Sequence, residues 1–264
     1  MRGLIQRLRR FDKGDTPVQE LQPYEQLAEV YDYLMRHVDY VEWADYVEDV
    51  FRHFDHAPDR IFEVACGTGT LAFELTKRGY KVHATDQSPA MVKAAKSKLN
   101  GSIDGPFFSV ADMRDLPQGD ADVVLCLYDS VNYNLTQDDL RAAIASMRRV
   151  VREGALCIFD VTTETNSVLY FSHYESKERH RGFSYTRRSE YRKKERLQIN
   201  EFFIRHRDRT DVVHERHEQR IYPIDDVLSM VNTDEWRILG VFDDYTLDPA
   251  DATSERIHVV LTAR

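Results

Sequence analysis

Three cysteines are all that the 264 residues contain: Cys66, Cys126 and Cys157. The number is odd, the spacing has no pattern, and each lies in or at the end of an apolar run. A disulfide framework is therefore excluded as an organising device, and a reducing, cytoplasmic compartment fits. No His/Cys/Asp/Glu spacing points to a metal site. No apolar run approaches the ~18 residues of a membrane-spanning helix. The opening stretch, Met1-Arg-Gly-Leu-Ile-Gln-Arg-Leu-Arg-Arg-Phe11, is basic and mildly amphipathic but lacks the apolar centre of a secretory leader. It reads as a loosely held terminal helix or tail, with contact to an anionic surface as the alternative. Internal repeats and low-complexity segments are absent. What remains, with 42% hydrophobic residues, is enough to bury a full core in one large domain or a domain with an insertion.

Glycine is sparse, with 11 in the whole chain, so a Gly-x-Gly pair stands out. In Ile61-Phe-Glu-Val-Ala-Cys-Gly-Thr-Gly-Thr70 an apolar run ends in a tight turn and flows into a helical pattern. Gly67 and Gly69 let the backbone take positive φ and let a ligand approach closely. The helix that follows points free N–H groups at that ligand. Gly67-x-Gly69-x-x-Ala72 with Asp86 further on also fits a dinucleotide fingerprint. Three acids tilt the reading. Glu63 sits inside the strand before the turn, where a carboxylate needs a cationic partner. Asp86 ends the next apolar run, Lys81 to Asp86, and can hold two ribose hydroxyls. Asp112 follows a third strand and can accept from an adenine amino group. An acid each for ammonium, ribose and adenine describes S-adenosylmethionine better than NAD.

With those residues on the page, the chain resembles the class I S-adenosylmethionine-dependent methyltransferases. The matching segments are Glu63-Val-Ala-Cys-Gly-Thr-Gly-Thr70, Thr85-Asp-Gln-Ser-Pro-Ala-Met91, Ala111-Asp-Met-Arg-Asp-Leu116 and Asp122-Val-Val-Leu-Cys-Leu-Tyr-Asp-Ser-Val-Asn132, in family order and spacing. The likeness is strongest over Pro58 to Val161. It looks closest to a small-molecule subgroup that includes amino-sugar N-methyltransferases and glycine N-methyltransferase. The resemblance implies S-adenosyl-L-methionine as cofactor and S-adenosyl-L-homocysteine as product. It implies a cofactor site built from Glu63, Ala65, Gly67, Gly69, Asp86, Gln87, Met91, Ala111, Asp112, Met113, Leu127 and Tyr128. For Gln87 and Met113 a plain packing role stays open. The resemblance also implies tyrosines of the N-terminal helix, Tyr24 and Tyr31, closing over the cofactor; packing onto the core is the other reading. Arg36 is a further candidate for the cofactor carboxylate.

Along the chain, Leu21 to Phe54 reads as helices from apolar residues at three-to-four spacing. From Arg60 strands and helices alternate: strands at Arg60–Ala65, Lys81–Thr85, Pro106–Val110, Asp122–Leu127 and Leu156–Val161; helices at Thr68–Arg78, Pro89–Leu99 and Asp138–Val151. Asp86, Ser88 and Thr136 stand where helix caps belong. This alternation predicts an α/β fold: a doubly wound, mostly parallel sheet, seven-stranded as in the family, with ligands at the carboxyl ends of the strands. Residues 168–222 break the rhythm. Ser184–Arg188, Arg196–Arg205 and Val212–Tyr222 read as strands of an inserted antiparallel β layer. Ile224–Val231 restores a helix, and Trp236–Phe242 and Arg256–Thr262 supply the last two strands. The division is an N-terminal helical cover over 1–54, a cofactor-binding core over 55–167 and 223–264, and the inserted layer over 168–222.

Net charge is −9, but residues 168–222 hold fourteen Lys or Arg against nine Asp or Glu, which leaves −14 on the remainder. The basic run from Arg179 to Arg196, including Arg187, Arg188, Lys193 and Lys194, reads as a solvated face because Glu178, Glu190 and Glu195 are interspersed. A phosphate or RNA contact, or a homodimer contact with the acidic core of another copy, are the alternatives. Two residues are candidates for catalysis: His217, on the face of its strand shared with Val213 and Ile221, and Tyr133, in the loop after the fourth core strand. Asn132 is the candidate for orienting an acceptor, with a turn-capping role as the alternative. The Asn/Asp-Pro-Pro-Tyr/Phe motif and a cysteine placed as a pyrimidine nucleophile are both absent, which argues against nucleobase chemistry. The expected partner is a small-molecule acceptor of an N- or O-methyl group. A macromolecular substrate docked on the basic layer, or a binding protein without chemistry, are the rivals.

Overall fold

The computed structural model describes residues 17–101 and 103–264, so the basic stretch Met1–Phe11 lies outside the described residues. The chain opens with strand β1 (Val18–Leu21), a 3-10 turn (Leu27–Glu29), a short helix α1 (Tyr31–Leu34) and helix α2 (Tyr40–His53). Strands and helices then alternate: β2 (Arg60–Val64), α3 (Thr70–Lys77), β3 (Lys81–Asp86), α4 (Pro89–Ser97), β4 (Phe107–Val110) and β5 (Ala121–Cys126). A second 3-10 turn (Ser130–Tyr133) leads to α5 (Gln137–Arg149) and β6 (Val151–Thr162). Then come α6 (Glu164–Phe171), β7 (His173–His180), β8 (Phe183–Arg192), β9 (Leu197–His206) and β10 (Val212–Arg220). Helix α7 (Ile224–Ser229) and strands β11 (Trp236–Asp243) and β12 (Arg256–Ala263) close the chain.

Seven strands form one sheet in the order β11-β12-β6-β5-β2-β3-β4. All neighbours are parallel except β12, which runs antiparallel to both β11 and β6. Helices cover both faces, and every residue of β5 is buried, as a central parallel strand requires. Successive crossovers from β2 run outward to β3 and β4, then return to β5 on the other side. The crevice at the carboxyl ends of β2 and β5 is therefore the switch point where doubly wound sheets bind ligands. The caps agree with the chain's own signals. Ser88 Oγ accepts from Met91 N–H at 3.3 Å with Pro89 in the first turn, and Thr136 Oγ accepts from Asp139 N–H at 3.1 Å.

The second sheet has five strands, β1-β10-β9-β8-β7, antiparallel except for β1, which lies parallel to β10. One of its faces packs Tyr185, Phe202, Ile204 and Val213 against Leu27 and Val30 of the N-terminal segment.

Three elements differ from the sequence reading. The Leu21–Phe54 stretch holds only α1 and α2 as helix, and a strand, β1, precedes it. Its partner β10 lies almost two hundred residues away, so no local pattern announces it. Helix α6 and strand β7 were not expected. β7 is the outer strand of the sheet and reads His-Tyr-Glu-Ser-Lys-Glu-Arg-His, so it lacks the apolar alternation by which strands are recognised.

Candidate active site

The chain leaves β2 through Ala65-Cys66-Gly67-Thr68-Gly69. Ala65, Gly67 and Gly69 hold φ of 56°, 55° and 76°. A left-handed alanine costs about 1–3 kcal/mol, and strain of that kind collects where ligands bind. Gly69 serves packing: a Cβ there would come within 2.6 Å of the Phe108 ring. Gly67 opens on the cleft. Asp86, at the end of β3, fixes the turn by accepting from Gly67 N–H at 2.9 Å and Ser88 N–H at 2.8 Å. Burial raises its carboxyl pKa, while the two N–H groups pull it back.

Glu63 is buried, and its Oε2 meets no hydrogen-bond partner among the described residues. Burial, reinforced by the charge of Asp86, pushes its carboxyl up to about 8. A cation placed beside it would restore the carboxylate.

These groups line a cleft of about 980 Å³ between the two sheets. The core sheet contributes Glu63, Ala65 and Gly67 from the turn, Asp86 and Gln87 after β3, and Met91 from α4. Ala111 and Met113 after β4, and Leu127, Tyr128 and Tyr133 after β5, continue the wall. Tyr24 and Tyr31 cover it from the N-terminal segment, and His217 faces it from β10. Four sequence-selected residues lie outside this lining. Gly69 packs as described. Asp112 sits between two lining residues, but its carboxylate turns onto Arg114 at 2.6 Å, which lowers its pKa. Asn132 is fully buried: its Nδ2–H donates to Arg220 O at 2.7 Å and its Oδ1 accepts from Thr162 N–H at 3.1 Å. Both ends of that amide are committed to backbone, so it ties β6 to β10. Arg36 also stays outside and pairs with Glu178 at 2.7 Å.

One carboxylate holds the N-terminal cover in place. Glu215 accepts from Tyr24 N–H at 2.8 Å, Gln26 N–H at 2.5 Å and Leu27 N–H at 2.8 Å. On the core side, Ser88 Oγ–H donates to Tyr24 O at 3.0 Å, and Thr68 Oγ–H donates to Asp32 Oδ1 at 2.5 Å.

Glu215 also orders a chain of side chains. His217 Nε2 lies 3.2 Å from Glu215 Oε2, Tyr133 Oη lies 3.2 Å from His217 Nδ1, and Tyr24 Oη lies 2.5 Å from Tyr133 Oη. A carboxylate already accepting three N–H groups can only accept, so His217 Nε2–H donates to it. His217 Nδ1 is then bare and receives the Tyr133 O–H, and Tyr133 receives the Tyr24 O–H. Burial lowers the His217 pKa below its usual value even against Glu215, so the ring is neutral. Burial raises both tyrosines, Tyr24 and Tyr133, so both keep their protons.

The sequence reading missed the rest of the polar wall. Asp129 follows Tyr128, both with positive φ (51° and 62°). Arg256 reaches Asp129 at 2.8 Å and also pairs with Asp160, and Gln219 Nε2–H donates to Asp129 Oδ2 at 2.5 Å. Gln198, Asn200 and Phe202 face the cleft from β9 and Arg187 from β8. A signal for some of these existed. Glu215 and Gln219 share the strand parity of His217, and Asn200 pairs with His217 in register. The apolar residues Leu197, Ile199 and Phe203 of β9 have the opposite parity.

Residues 61–154 match a family model described as a methyltransferase domain. The Bacillus subtilis (strain 168) protein YqeM, named as a methyltransferase, is 29% identical over 238 residues, 89% of this chain and 94% of that protein. The Streptomyces venezuelae dTDP-3-amino-3,4,6-trideoxy-α-D-glucopyranose N,N-dimethyltransferase is 30% identical over 136 residues, 50% of this chain and 56% of that protein. Among solved structures, an S-adenosylmethionine-dependent methyltransferase from Clostridium acetobutylicum ATCC 824 superposes with a TM-score of 0.76 at 24% identity, covering 90% of this chain and 97% of that one. The chain carries a methyltransferase domain over residues 61–154 and has the class I fold of the S-adenosylmethionine-dependent methyltransferases. No helix among the described residues is long and apolar enough to cross a membrane, and no metal-ligating cluster occurs among them.

Proposed function

We propose that this enzyme methylates a nitrogen or oxygen of a small molecule held in the cleft between its two sheets. The observation that carries the reading is the enclosure itself. Acceptor and cofactor must share about 980 Å³ under the Tyr24–Leu27 cover and the β8–β10 wall, a size typical of small-molecule sites (~300–1,000 Å³). The Streptomyces venezuelae relative is named for an amino-sugar acceptor, which agrees with a nucleophile of this class.

The cleft fits the cofactor. Glu63, with its unpartnered Oε2, would hold the amino-acid ammonium. Asp86, with lone pairs left beyond its two backbone contacts, would hold the ribose diol, and Gly67 leaves room beside it. Met91, Gln87, Ala111 and Met113 would flank the base. The rings of Tyr31 and Tyr128 suit a sulfonium, which attracts aromatic faces by about 0.5–2 kcal/mol each. Bound S-adenosylmethionine supplies an electrophilic methyl group. The protein's own work is to position the acceptor and take its proton. The hydroxyl of Tyr133 accepts that proton while passing its own to His217 Nδ1, and Glu215 stabilises the imidazolium that results. Because Tyr133 keeps its proton at rest, it acts as a relay and His217 as the base.

The basic run gives a large acidic substrate little to hold. Arg188 pairs with Glu175, Arg192 with Glu190, Lys193 with Glu164 and Arg196 with Asp226. The test is incubation with methyl-labelled S-adenosylmethionine and either a metabolite pool or RNA and protein pools. Label in a small-molecule product supports the reading. Label only in RNA or protein contradicts it.

A further inference from the structure

Among the described residues two arginines line the cleft, and they differ in one respect. Arg256 is matched by Asp129 and Asp160. Arg187 pairs with no carboxylate among the described residues. Its Nε–H and Nη2–H donate to Asn200 Oδ1 at 3.3 and 3.0 Å, and Asn200 Oδ1 also accepts from Ser189 Oγ–H at 2.6 Å. Its other neighbours are ring faces: Phe171 at 5.2 Å, Tyr174 at 5.6 Å and Phe202 at 5.6 Å from the guanidinium carbon. The register explains the isolation. On the cleft face Arg187 stands opposite Phe202, and Phe202 opposite Glu215, so a ring separates this cation from the nearest carboxylate of its own row. A half-buried guanidinium bonded to a neutral amide is a charge without a counter-ion. It is also aligned: Asn200 takes two of its five N–H donors and leaves the end of the fork free for a bidentate oxyanion. Its field reaches the chemistry: its charge adds to the lowering of the His217 pKa and opposes the rise that burial imposes on Tyr133.

We propose that the methyl acceptor carries an oxyanion, a carboxylate or a phosphate ester, and that Arg187, aligned by Asn200, binds it beside the Tyr133–His217 pair. The inference rests on the small-molecule reading above. It separates Arg187 from Arg188, Arg192, Lys193 and Arg196 of the basic run, which pair with carboxylates.

The test uses the full chain, labelled with nitrogen-15 and saturated with S-adenosylhomocysteine. Inorganic phosphate and acetate are titrated at constant ionic strength, and the arginine Nε–H resonance absent from the Arg187→Gln variant is followed. Saturable shifts of that resonance are expected in the wild type, and anion affinity read in all three proteins from backbone amide shifts around the cleft should fall at least tenfold in Arg187→Gln and be largely kept in Arg187→Lys. Preference for phosphate would mark a phosphate ester, and preference for acetate a carboxylate. S-adenosylhomocysteine affinity should stay within twofold in both variants. Equal anion binding by wild type and Arg187→Gln, or no saturable shift in the wild type, would overturn the inference alone. Failure of the wild type to bind S-adenosylhomocysteine would sink the methyl-transfer reading and this inference with it.

Discussion

His217 and Glu215 stand two residues apart on one strand, with Nε2 and Oε2 separated by 3.2 Å and both side chains on the same face of the sheet. Strand alternation makes this pairing possible, since residues i and i+2 share a face. The same carboxylate anchors the backbone of the N-terminal cover, so the cover and the proposed base are ordered by one group.

That relationship predicts the behaviour of the proton relay. Tyr133→Phe and His217→Gln should each lower kcat by ~10²–10³, as loss of a general base does, with S-adenosylmethionine affinity nearly unchanged. The His217 pKa is depressed, so the wild-type rate should have an acid limb below pH ~6.5, where the ring gains a proton and can no longer accept one. His217→Gln should lack that limb. An unchanged pH profile in the variant would remove His217 from the mechanism.

Glu63 should release a proton when the cofactor binds. Its carboxyl is raised to about 8 in the free protein, so at pH 7 it is mostly protonated. An ammonium beside it would pull the pKa down and free close to one proton. Calorimetry at pH 7 in two buffers of different ionisation enthalpy reads this directly. Glu63→Gln should abolish the buffer dependence. A wild type without buffer dependence would mean that no cation reaches Glu63.

Asn132→Ala should harm folding, not affinity. It strips partners from the buried Thr162 N–H and Arg220 O, at ~1–3 kcal/mol each. Denaturant unfolding should show the loss, while S-adenosylmethionine affinity of the folded fraction stays within about twofold. A large rise in acceptor KM with normal stability would restore Asn132 to the acceptor site.

Acid should destabilise the protein partly through His258. It is fully buried, and burial together with the Arg256 charge pushes its pKa down to about 3. The folded value lies below the unfolded ~6.5, so its contribution is complete above that pH and is lost as pH falls toward 3. By pH 4.5 the loss should be on the order of 2–3 kcal/mol. Urea unfolding of His258→Gln should show a flatter acid dependence. Identical slopes would place the acid sensitivity elsewhere.

The core sheet was legible because its strands are short apolar runs punctuated by glycine and caps, and the acids proposed to hold the cofactor stand at or near their ends. Glu63, Gly67 and Asp86 could be read from one line of sequence for that reason. The acceptor wall was harder. Arg187, Asn200 and Gln198 are polar residues on strands whose visible pattern was apolar, and only the pairing of β8, β9 and β10 brings them to one face. Asn132 shows the converse: its place beside the expected methyl site suggested an acceptor contact, yet two backbone groups that meet only in the folded chain claim its amide. β1 was hidden because its meaning lies in a partner strand far along the chain.

The most direct test of the account is titration of S-adenosylmethionine into wild type, Asp86→Ala and Glu63→Gln, with NAD as the competitor ligand. Micromolar binding to the wild type is expected, with Asp86→Ala weakened by ~1.5–3 kcal/mol through loss of charge-assisted hydrogen bonds to the ribose, and no binding of NAD. Equal S-adenosylmethionine affinity in all three proteins, or binding of NAD in its place, would contradict a cofactor held in this cleft by Glu63 and Asp86.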